Sequence, residues 1–469
     1  MHFPNFRHLT QRTVNLSPPT LLALGFLSFI LVGTLLLRLP ISHHGHLSWM
    51  DALFTATSAV TITGLSTISV HDSLTGFGQT VLLLLIQSGG LGFMTFAILA
   101  ALSLSPKVRL RQQMMAQTAT GQTNLSKVTF VAKGVFFYTL FFELIGTVIL
   151  TVLFTPEYGF PTSLHYAIFY SISSFNNAGF SIFGDSLMSF EGQYLVYLVI
   201  SLLYIIGGIG FIVLMDIKRS KSWSKLSANS KLVLSSIAII NLLAFIVIWM
   251  LEATNYQTLG QLNLGEQAVH AWFQATAPRS SGLNTIDTGS MTSTSTLVVM
   301  LLMFIGGGSL STAGGIKVGT FVVLLLSVIS FLRRNEEVRA FNHSISQETT
   351  VKALAVAMIT CILIFGGFFL ILLLEPRQNF LDLLFEIVSA ACTVGLSRGI
   401  TSELSPGSLM ILIFLMYAGR LGPLTLAYLI ATPKKSRLKH RQPISRSVKL
   451  KKPLLRVVFY SRALVPVHE

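Results

Sequence analysis

Four short strips of small, β-branched and amide residues, each ending in a glycine and an apolar residue, have the composition of a backbone that binds cations. They are Thr61-Ile62-Thr63-Gly64-Leu65, Asn176-Asn177-Ala178-Gly179-Phe180, Arg279-Ser280-Ser281-Gly282-Leu283 and Cys392-Thr393-Val394-Gly395-Leu396. A dehydrated cation needs oxygen ligands, which rings of backbone carbonyls can supply. Glycine lets the backbone turn such carbonyls toward an axis without a Cβ clash. Since Arg279 is the one charged residue in the strips, main-chain carbonyls rather than carboxylates are the predicted ligands.

The strip glycines recur at nearly equal spacing. They are 115, 103 and 113 residues apart in a chain of 469 residues, which indicates one unit repeated four times. An aromatic residue also precedes each glycine by ten positions, namely Phe54, Phe169, Trp272 and Phe385. The repeats therefore predict four strips that meet around one axis. The residues predicted to bind a cation through their carbonyls are Ile62, Thr63, Gly64, Asn177, Ala178, Gly179, Ser280, Ser281, Gly282, Thr393, Val394 and Gly395.

The composition is that of a membrane protein. Hydrophobic residues make up 52% of the chain and charged residues 11%, and the mean hydropathy is +0.69. A soluble domain averages about 25% charged residues. Apolar stretches of roughly 20 residues recur, and each can cross a hydrocarbon core of ~30 Å as a helix. The predicted fold is therefore an all-α polytopic membrane protein with eight spanning helices.

The positive charge is unevenly distributed along the chain. The formal net charge is +15, and most of the 33 lysines and arginines lie in residues 1–19, 103–127, 216–231, 332–352 and 433–469. Basic segments that alternate with apolar stretches are typical of the positive-inside pattern, so we expect both termini and the three basic loops in the cytoplasm. Because apolar spans separate the basic segments, the charge is not that of a nucleic-acid-binding surface.

Each repeat is predicted to hold a spanning helix, a short re-entrant helix, a strip and a returning helix. The short helices, at about 51–61, 163–176, 268–278 and 381–392, are too short to span. Each directs its C-terminal end, with about half a negative elementary charge, at its strip, and this end favours a cation. The predicted boundaries are 1–19 for the cytoplasmic N-terminus, 20–101, 128–215, 231–331 and 351–432 for the four pseudo-symmetric helix–pore-helix–helix repeats around one ion pore, and 433–469 for a basic cytoplasmic tail.

Acidic residues stand at or on two of the short helices. Asp51, Asp382 and Glu386 could add a negative field that concentrates cations near the strips. For Asp51 and Asp382, helix capping or ion pairing is an equally good interpretation. The two cysteines, Cys361 and Cys392, fall in apolar segments without metal-ligand spacing, so we interpret them as small core residues.

Glycines punctuate the returning helices. Gly89-Gly90-Leu91-Gly92-Phe93 is echoed by Gly207-Gly208-Ile209-Gly210-Phe211 and by Gly419-Arg420-Leu421-Gly422-Pro423. Small residues allow close helix packing, whereas a glycine can also bend a helix, and both interpretations remain open. The third returning helix carries the run 306–317, which is too rich in glycine, serine and threonine for a regular helix. Broken backbone at membrane depth is tolerated inside protein or beside a water-filled cavity, so this run is predicted to lie in the pore below the strips.

Two basic residues lie deep in spanning segments. Arg420 has apolar residues on both sides and is predicted to face the pore, since a charge within a membrane indicates function. There it could impose an electrostatic barrier or hold the glycine-rich run through its carbonyls. Lys317 adjoins that run directly.

Residues 20–432 resemble the Trk/Ktr/HKT superfamily of potassium transporters. The four strips, FNNAGF (175–180), TVGL (393–396) and GGGSLSTAGGIK (306–317) carry the likeness. The segment YAGRLGPLTLAYL (417–429) is similar to the Ktr membrane subunits. The chain also begins with the first helix of the first repeat, whereas TrkH-type subunits carry two extra N-terminal spans.

The resemblance implies a homodimer, with one pore per protomer, in the plasma membrane of a bacterium. A cytosolic ring of nucleotide-binding RCK subunits (KtrA-like) would regulate it. Potassium would be the transported ion, uptake would often depend on sodium, and relatives with serine in place of Gly64 tend to conduct sodium. Residues 306–315 would form an intramembrane gate that faces Arg420. The gate residues implied are Gly306, Gly307, Gly308, Ser309, Ser311, Thr312, Gly314, Gly315, Lys317 and Arg420.

Two other classes of function fit less well. A carrier with alternating access predicts two-fold or inverted repeats, whereas these four units run in one direction. An enzyme is disfavoured because the sequence has no metal-spaced acid or histidine cluster, no nucleophile elbow and no phosphate-binding loop. No organic cofactor is expected, and nucleotide sensing would belong to another chain. The tail 433–469 is predicted either to lie on anionic membrane lipid or to dock a cytosolic partner.

Overall fold

The computed structural model describes residues 18–92, 125–190, 192–335, 337–341, 343–423 and 425–426. These residues belong to one compact unit, Met1–Ile430. The second unit, Ala431–Glu469, contains the predicted tail and lies outside the described residues. The first seventeen residues and the basic loop after Gly92 also lie outside them.

The described chain is predominantly helical. Its helices, in chain order, are α1 (Pro18–Leu37), α2 (Trp49–Val60), α3 (Val70–Ser73), α4 (Gly76–Leu91), α5 (Leu125–Tyr158), α6 (Phe160–Phe175), α7 (Tyr194–Ile209), α8 (Phe211–Ser220), α9 (Ala228–Glu252), α10 (Leu264–Thr276), α11 (Ser293–Phe304), α12 (Val318–Leu332), α13 (Gln347–Leu374), α14 (Phe380–Ala391) and α15 (Pro406–Leu421). A small antiparallel hairpin of β1 (Val338–Ala340) and β2 (His343–Ile345) precedes α13.

One order of elements recurs along the chain. A first helix (α1, α5, α9 or α13) leads to a short helix (α2, α6, α10 or α14), then to a strip, and then to a second helix. The second helices are α4, α7 with α8, α11 with α12, and α15. Within each repeat the first helix packs against the short helix, so each strip is held at the end of a packed pair.

Among the described residues, three helices are long and apolar enough to cross a membrane. They cover Ala132–Tyr158, Ala228–Glu252 and Gln347–Leu374, and only about a third of each is buried within the protein. Their outward faces carry large apolar side chains, such as Val152 and Phe365, which are 67% and 65% exposed. Apolar side chains in such numbers on the outside suit contact with lipid rather than water.

The second helices of the first, second and fourth repeats end at glycines, which is one of the two roles that the sequence left open for their glycine motifs. Gly92, Gly210 and Gly422 have φ of +73°, +105° and +82°, and α4, α7 and α15 end just before them. Beyond Gly210 the chain continues as α8, bent by 92° relative to α7. A left-handed residue cannot continue a right-handed helix, so these glycines break each helix.

Another glycine of each motif serves packing. A Cβ added at Gly89 would lie 2.1 Å from the carbonyl oxygen of Val60, at the end of the neighbouring short helix. The corresponding distances are 2.0 Å from Gly207 to Phe175 and 2.2 Å from Gly419 to Ala391. Both interpretations of the motifs were therefore right, each for a different glycine. The close approach fixes the C-terminal end of each short helix.

Side-chain caps start three of the four short helices. Ser48 accepts from the backbone N–H of Asp51, and Asn379 accepts from that of Leu381. Asn263 and Glu266 form a reciprocal capping box at the start of α10. Each cap stabilises a helix start by about 1 kcal/mol. The caps therefore fix where the short helices begin and hence where their strips start.

Candidate functional site

The four strips meet in a closed ring of glycines. A Cβ added at Gly64 would lie 2.8 Å from the α-carbon of Gly179, and one at Gly179 would lie 3.0 Å from that of Gly282. One at Gly282 would lie 3.2 Å from the α-carbon of Gly395, and one at Gly395 would lie 2.9 Å from that of Gly64. Each strip therefore touches the next, and the fourth closes on the first.

Main-chain oxygens line the contacts of this ring. The carbonyl oxygen of the residue before each glycine faces the glycine of a neighbouring strip: Ala178 faces Gly64, Ser281 faces Gly179, Val394 faces Gly282 and Thr63 faces Gly395. The direction around the ring is the same in every case. The backbone thus brings four carbonyl oxygens together at one level, with glycine hydrogens where side chains would otherwise stand.

The strips share one unusual backbone conformation. Each glycine has a positive φ, from +69° at Gly282 to +98° at Gly64. The residue two positions earlier also has a positive φ: +49° at Ile62, +56° at Asn177, +107° at Ser280 and +49° at Thr393. Such angles are uncommon in residues other than glycine. Their recurrence at the same position shows that the surrounding packing imposes one carbonyl orientation on four different sequences.

Serines six residues before the glycine anchor three of the strips, a feature that the sequence analysis did not identify. The carbonyls of Ser58, Ser173 and Ser389 accept from the residue before the glycine, at 2.8, 2.8 and 2.9 Å. The hydroxyls of Ser58 and Ser389 also accept from the glycine N–H groups at 3.0 Å. Since these N–H groups bond back into the short helix, the carbonyls remain available on the other side. The recurrence of serine at this offset was the available signal.

The third strip differs from the others, because the hydrogen-bonded turn that leads to its glycine is one residue shorter. The N–H of Ser281 bonds to Ala277, five rather than six residues before Gly282, at 2.8 Å. The fully buried aromatic residue in α10 is Phe273, whereas the predicted equivalent, Trp272, is only half-buried. The ten-residue offset therefore aligned the third repeat wrongly by one position. A 3₁₀ turn at Ala277–Arg279 accommodates the difference.

The glycine loop, residues 306–315, lies against the inner ends of three strips, where the short helices end. Gly315 donates its N–H to the carbonyl of Cys392 at 2.8 Å, and Gly314 donates to the Ser280 hydroxyl at 2.9 Å. Thr312 donates its hydroxyl to the carbonyl of Phe175 at 3.1 Å. The second strip returns a bond, because the Asn177 amide donates to the Thr312 hydroxyl at 2.8 Å. The loop is thus bonded to the second, third and fourth strips.

The loop is also fitted to the break in the second repeat. Gly308 and Thr312 donate to the carbonyls of Gly208 and Gly207, at 2.8 and 3.3 Å. The N–H of Phe211, at the start of α8, donates to the carbonyl of Leu310 at 3.0 Å. A Cβ at Gly308 would lie 1.9 Å from the carbonyl oxygen of Ile209, and one at Gly307 would lie 2.5 Å from that of Gly208. Glycine is therefore required where the two backbones meet.

Two arginines donate hydrogen bonds to the glycine loop, one to its middle and one to its first residue. Arg420 donates from Nη1 to the carbonyl of Thr312 at 3.0 Å and from Nη2 to that of Gly89 at 2.5 Å. Arg279, whose role the sequence left open, donates to the carbonyl of Gly306 at 3.1 Å and to the side chain of Asn241 at 2.7 Å. Arg279 is only 8% exposed. Both guanidinium groups use main-chain carbonyls in place of carboxylates.

The remaining predicted loop residues make local contacts. Lys317 donates to the carbonyl of Ala313 at 2.5 Å, and Ser311 donates to that of Gly308 at 2.7 Å. The carbonyl of Ser309 faces Gly210. Gly306 donates to the carbonyl of Ile316 at 2.9 Å and closes the base of the loop. Every residue of the predicted gate therefore lies in or against one structure below the strips.

The acidic residues are bound by nearby side chains. Asp51 accepts from the hydroxyls of Ser48 and Thr67, at 2.6 and 2.7 Å. Asp382 pairs with Arg398 at 2.5 Å, so ion pairing was the right interpretation for it. The buried Glu386 accepts from the hydroxyls of Ser397 and Thr401 on the segment that follows the fourth strip. These three acidic side chains therefore stabilise the segments that follow the first and fourth strips. Cys392 is a fully buried core residue at the end of α14.

The fold is that of a predominantly helical, polytopic membrane protein, and the ring of carbonyl oxygens suits ion transport. The TrkH family, described as cation transport proteins, matches residues 20–439, and the chain belongs to this family. The resemblance to the Trk/Ktr/HKT superfamily is thereby confirmed, and the chain is a transporter rather than an enzyme.

Individual relatives span nearly the whole chain. The Ktr system potassium uptake protein B of Bacillus subtilis (strain 168) is 43% identical over 427 residues, which are 91% of this chain and 96% of the relative. The protein of the same name from Vibrio alginolyticus is 38% identical over 424 residues, 90% of this chain and 93% of the relative. The crystal structure of the potassium transporter TrkH from Vibrio parahaemolyticus shares the fold. Its TM-score is 0.68 at 20% identity, with 92% of this chain and 87% of that chain covered.

Proposed function

We propose that this protein is the membrane subunit of a potassium uptake system. The observation that carries the proposal is the closed ring of Gly64, Gly179, Gly282 and Gly395 with four main-chain carbonyls at its contacts. Similarity to two proteins named for potassium uptake supports the choice of ion. Potassium would move down its electrochemical gradient, since ~2.3 kcal/mol per charge per 100 mV of membrane potential is available without ATP hydrolysis by this chain.

The proposed filter consists of two layers of carbonyls. The outer layer holds Thr63, Ala178, Ser281 and Val394, and the layer below holds Ile62, Asn177, Ser280 and Thr393. The carbonyls of Gly64, Gly179, Gly282 and Gly395, which were also predicted as ligands, would lie beyond the outer layer. Carbonyl oxygens would replace the hydration shell of the ion. The C-terminal ends of the four short helices add partial negative charge behind the layers, which favours a cation. No carboxylate would be needed as a ligand.

The proposed gate is the glycine loop. Its N–H groups donate hydrogen bonds to oxygens at the inner ends of the strips. An ion that leaves the filter inward would therefore meet the loop backbone. A run rich in glycine can change its backbone conformation at low cost, since no side chain restricts it. The hydrogen bonds that hold the loop would have to break for the path to open. Arg420 and Arg279 would set the stability of the closed arrangement.

The remaining features of the proposal extend beyond one chain. We propose eight spanning segments with both termini in the cytoplasm of a bacterial cell, and a homodimer with one pore in each protomer. A nucleotide-binding cytosolic ring of RCK subunits (KtrA-like) would control the gate. Sodium would stimulate uptake. The basic segments on the side assigned to the cytoplasm support this orientation and an acidic or anionic partner.

The test is potassium uptake by cells that lack their own uptake systems, with sodium varied and the cytosolic partner present or absent. Gly395→Ala should abolish uptake, because its Cβ would lie 2.0 Å from the carbonyl oxygen of Thr63. Gly399→Ala is the matched control, since both glycines have φ of +95° but nothing lies within 4 Å of a Cβ at Gly399. Full potassium uptake by the Gly395→Ala variant would contradict the proposed filter.

A further inference from the structure

The hydroxyl of Ser280 joins the glycine loop to the fourth strip. It accepts from the N–H of Gly314 at 2.9 Å and donates to the carbonyl of Thr393 at 3.1 Å. Ser280 is fully buried. A hydroxyl has one proton to donate, so this proton is committed to the Thr393 carbonyl while the loop N–H is committed to the hydroxyl. A continuous chain of hydrogen bonds therefore runs from the loop into the ring.

The chain ends on an oxygen of the proposed inner carbonyl layer. Hydrogen bonds in series polarise one another, so donation by Gly314 strengthens the donation by Ser280 to Thr393. The donated hydrogen uses one lone pair of the Thr393 carbonyl oxygen and places positive partial charge beside any cation bound there, so this oxygen becomes a weaker ligand for the ion. The seated loop therefore weakens one ligand of the ion without touching the ion path at that level.

The other strips lack this connection. Ile62 has no hydroxyl, the Asn177 amide donates to Thr312 and to the carbonyl of Tyr204, and the Thr393 hydroxyl has no hydrogen-bond partner in the part of the chain that the structure describes. The neighbouring carbonyl of Cys392 accepts from the loop directly, through the N–H of Gly315. Loop N–H groups thus act on the inner end of the fourth strip at two consecutive carbonyls, one of them through Ser280.

We propose that Ser280 is a positioning residue that couples the glycine loop to ion binding in the filter. The seated loop lowers the affinity of the inner layer for potassium, and potassium bound there favours release of the loop. The two effects are one coupling free energy, so each implies the other. This inference rests on the proposed filter and gate, and it adds that the permeating ion itself helps to open the path.

The variants Ser280→Ala and Ser280→Gly remove the hydroxyl. Alanine keeps the Cβ that Ser280 already carries at φ +107°, and glycine relieves that conformation, so one of the two should fold even if the other does not. Ser163→Ala is the matched control, because Ser163 on α6 is equally buried, its hydroxyl has no partner in the described structure, and it lies outside the strips and the glycine loop. Potassium binding would be measured by calorimetry on the purified full chain, and uptake in cells without the cytosolic partner.

Both Ser280 variants should bind potassium more tightly and conduct faster without the partner, each by about fivefold or more, the lower range of typical coupling. Ser163→Ala should match the unmodified protein. Unchanged or weaker potassium binding in the Ser280 variants would overturn the coupling, even if their flux rose. Failure of the unmodified protein to bind or transport potassium would instead overturn the proposed function itself. The two failures are therefore distinguishable.

Discussion

Arg420 and Thr312 are joined by a hydrogen bond from the guanidinium to the main-chain carbonyl, at 3.0 Å, across 108 positions of sequence. The same guanidinium holds Gly89 on the first repeat. Thr312 in turn bonds to the second repeat through Phe175 and Asn177. One arginine on α15 therefore fixes the middle of the glycine loop to helices of three other repeats, so the closed loop depends on how those repeats are arranged.

This arrangement predicts that Arg420→Gln raises ion flux in the absence of a cytosolic partner. Removing charge-assisted hydrogen bonds, each worth about 1.5–3 kcal/mol, should increase the population of released loop by about tenfold or more. Flux would be measured as rubidium or potassium uptake into vesicles that contain the purified chain. Arg377→Gln, at an exposed arginine of the turn after α13, is the control and should leave flux unchanged.

Arg420→Lys distinguishes two possible roles of Arg420. As a latch, its hydrogen bonds would hold the loop closed, whereas as an electrostatic barrier its positive charge would repel cations. Lysine keeps the positive charge but cannot reproduce the two directed bonds of the guanidinium. A latch predicts higher flux in the lysine variant, whereas a barrier predicts that flux rises only when the charge is removed. A lysine variant that conducts like the unmodified protein would therefore refute the latch.

Shortening the glycine loop should also raise flux. Deletion of residues 309–312 removes Thr312 and the carbonyl of Leu310, and with them the bonds to Arg420, Phe175 and Phe211. Uptake without the cytosolic partner should increase while the preference for potassium over sodium is kept, because the strips remain. Ser311→Ala is the control, since its hydroxyl bonds within the loop to Gly308. Unchanged flux after the deletion would show that the loop does not obstruct the path.

Gly64→Ser should reduce the selection of potassium over sodium. Gly64 has φ of +98°, and a Cβ there would lie 2.6 Å from the carbonyl oxygen of Ala178. The side chain must displace a carbonyl of the outer layer, so the spacing of the layer changes. Competition between sodium and rubidium in an uptake assay would measure the effect. Gly45→Ser is the control, because Gly45 has φ of +69° with nothing within 4 Å of the added atom. Selectivity equal in both variants would remove the first strip from the filter.

The ring could be predicted because its cause is local and repeated. A glycine with positive φ follows a short helix in every repeat, and regular spacing along the chain reveals such a unit. The one-residue shift in the alignment of the third repeat could not be predicted from the sequence, since Trp272 and Phe273 are adjacent aromatic residues and either fits a buried position. Phe273 is the buried residue of the two, because a 3₁₀ turn shortens the path from α10 to Gly282.

The partners of the loop could not be predicted for a different reason. Arg279 bonds to Asn241 and Gly306, which are 38 and 27 positions away. Such pairs depend on how repeats pack, which periodicity does not specify. The sequence likewise left the glycine motifs open between packing and bending. Only the contact with Val60 distinguishes Gly89, which packs, from Gly92, which breaks the helix.

The ion pair of Arg398 and Asp382 predicts a stability effect in the segment that follows the fourth strip. Arg398 lies three positions after Gly395 and donates to Asp382 at 2.5 Å, and its side chain is 12% exposed. It also donates to the carbonyls of Thr288 and Gly289, both at 2.9 Å, and so ties the fourth repeat to the third. Arg398→Gln should therefore lower the free energy of unfolding by about 2 kcal/mol or more, as loss of charge-assisted bonds does.

A double-mutant cycle separates the ion pair from the link between repeats. Thermal unfolding would be followed in detergent for Arg398→Gln, Asp382→Asn and the double variant. If the carboxylate only orients the guanidinium, Asp382→Asn should cost less than Arg398→Gln, because the bonds to the third repeat survive. The double variant should then equal Arg398→Gln, since Asp382 acts through the arginine. Strictly additive losses would show that the two side chains stabilise the strip independently. Equal Tm values for all four proteins would show that neither the ion pair nor the bonds from Arg398 to the third repeat stabilise the fold.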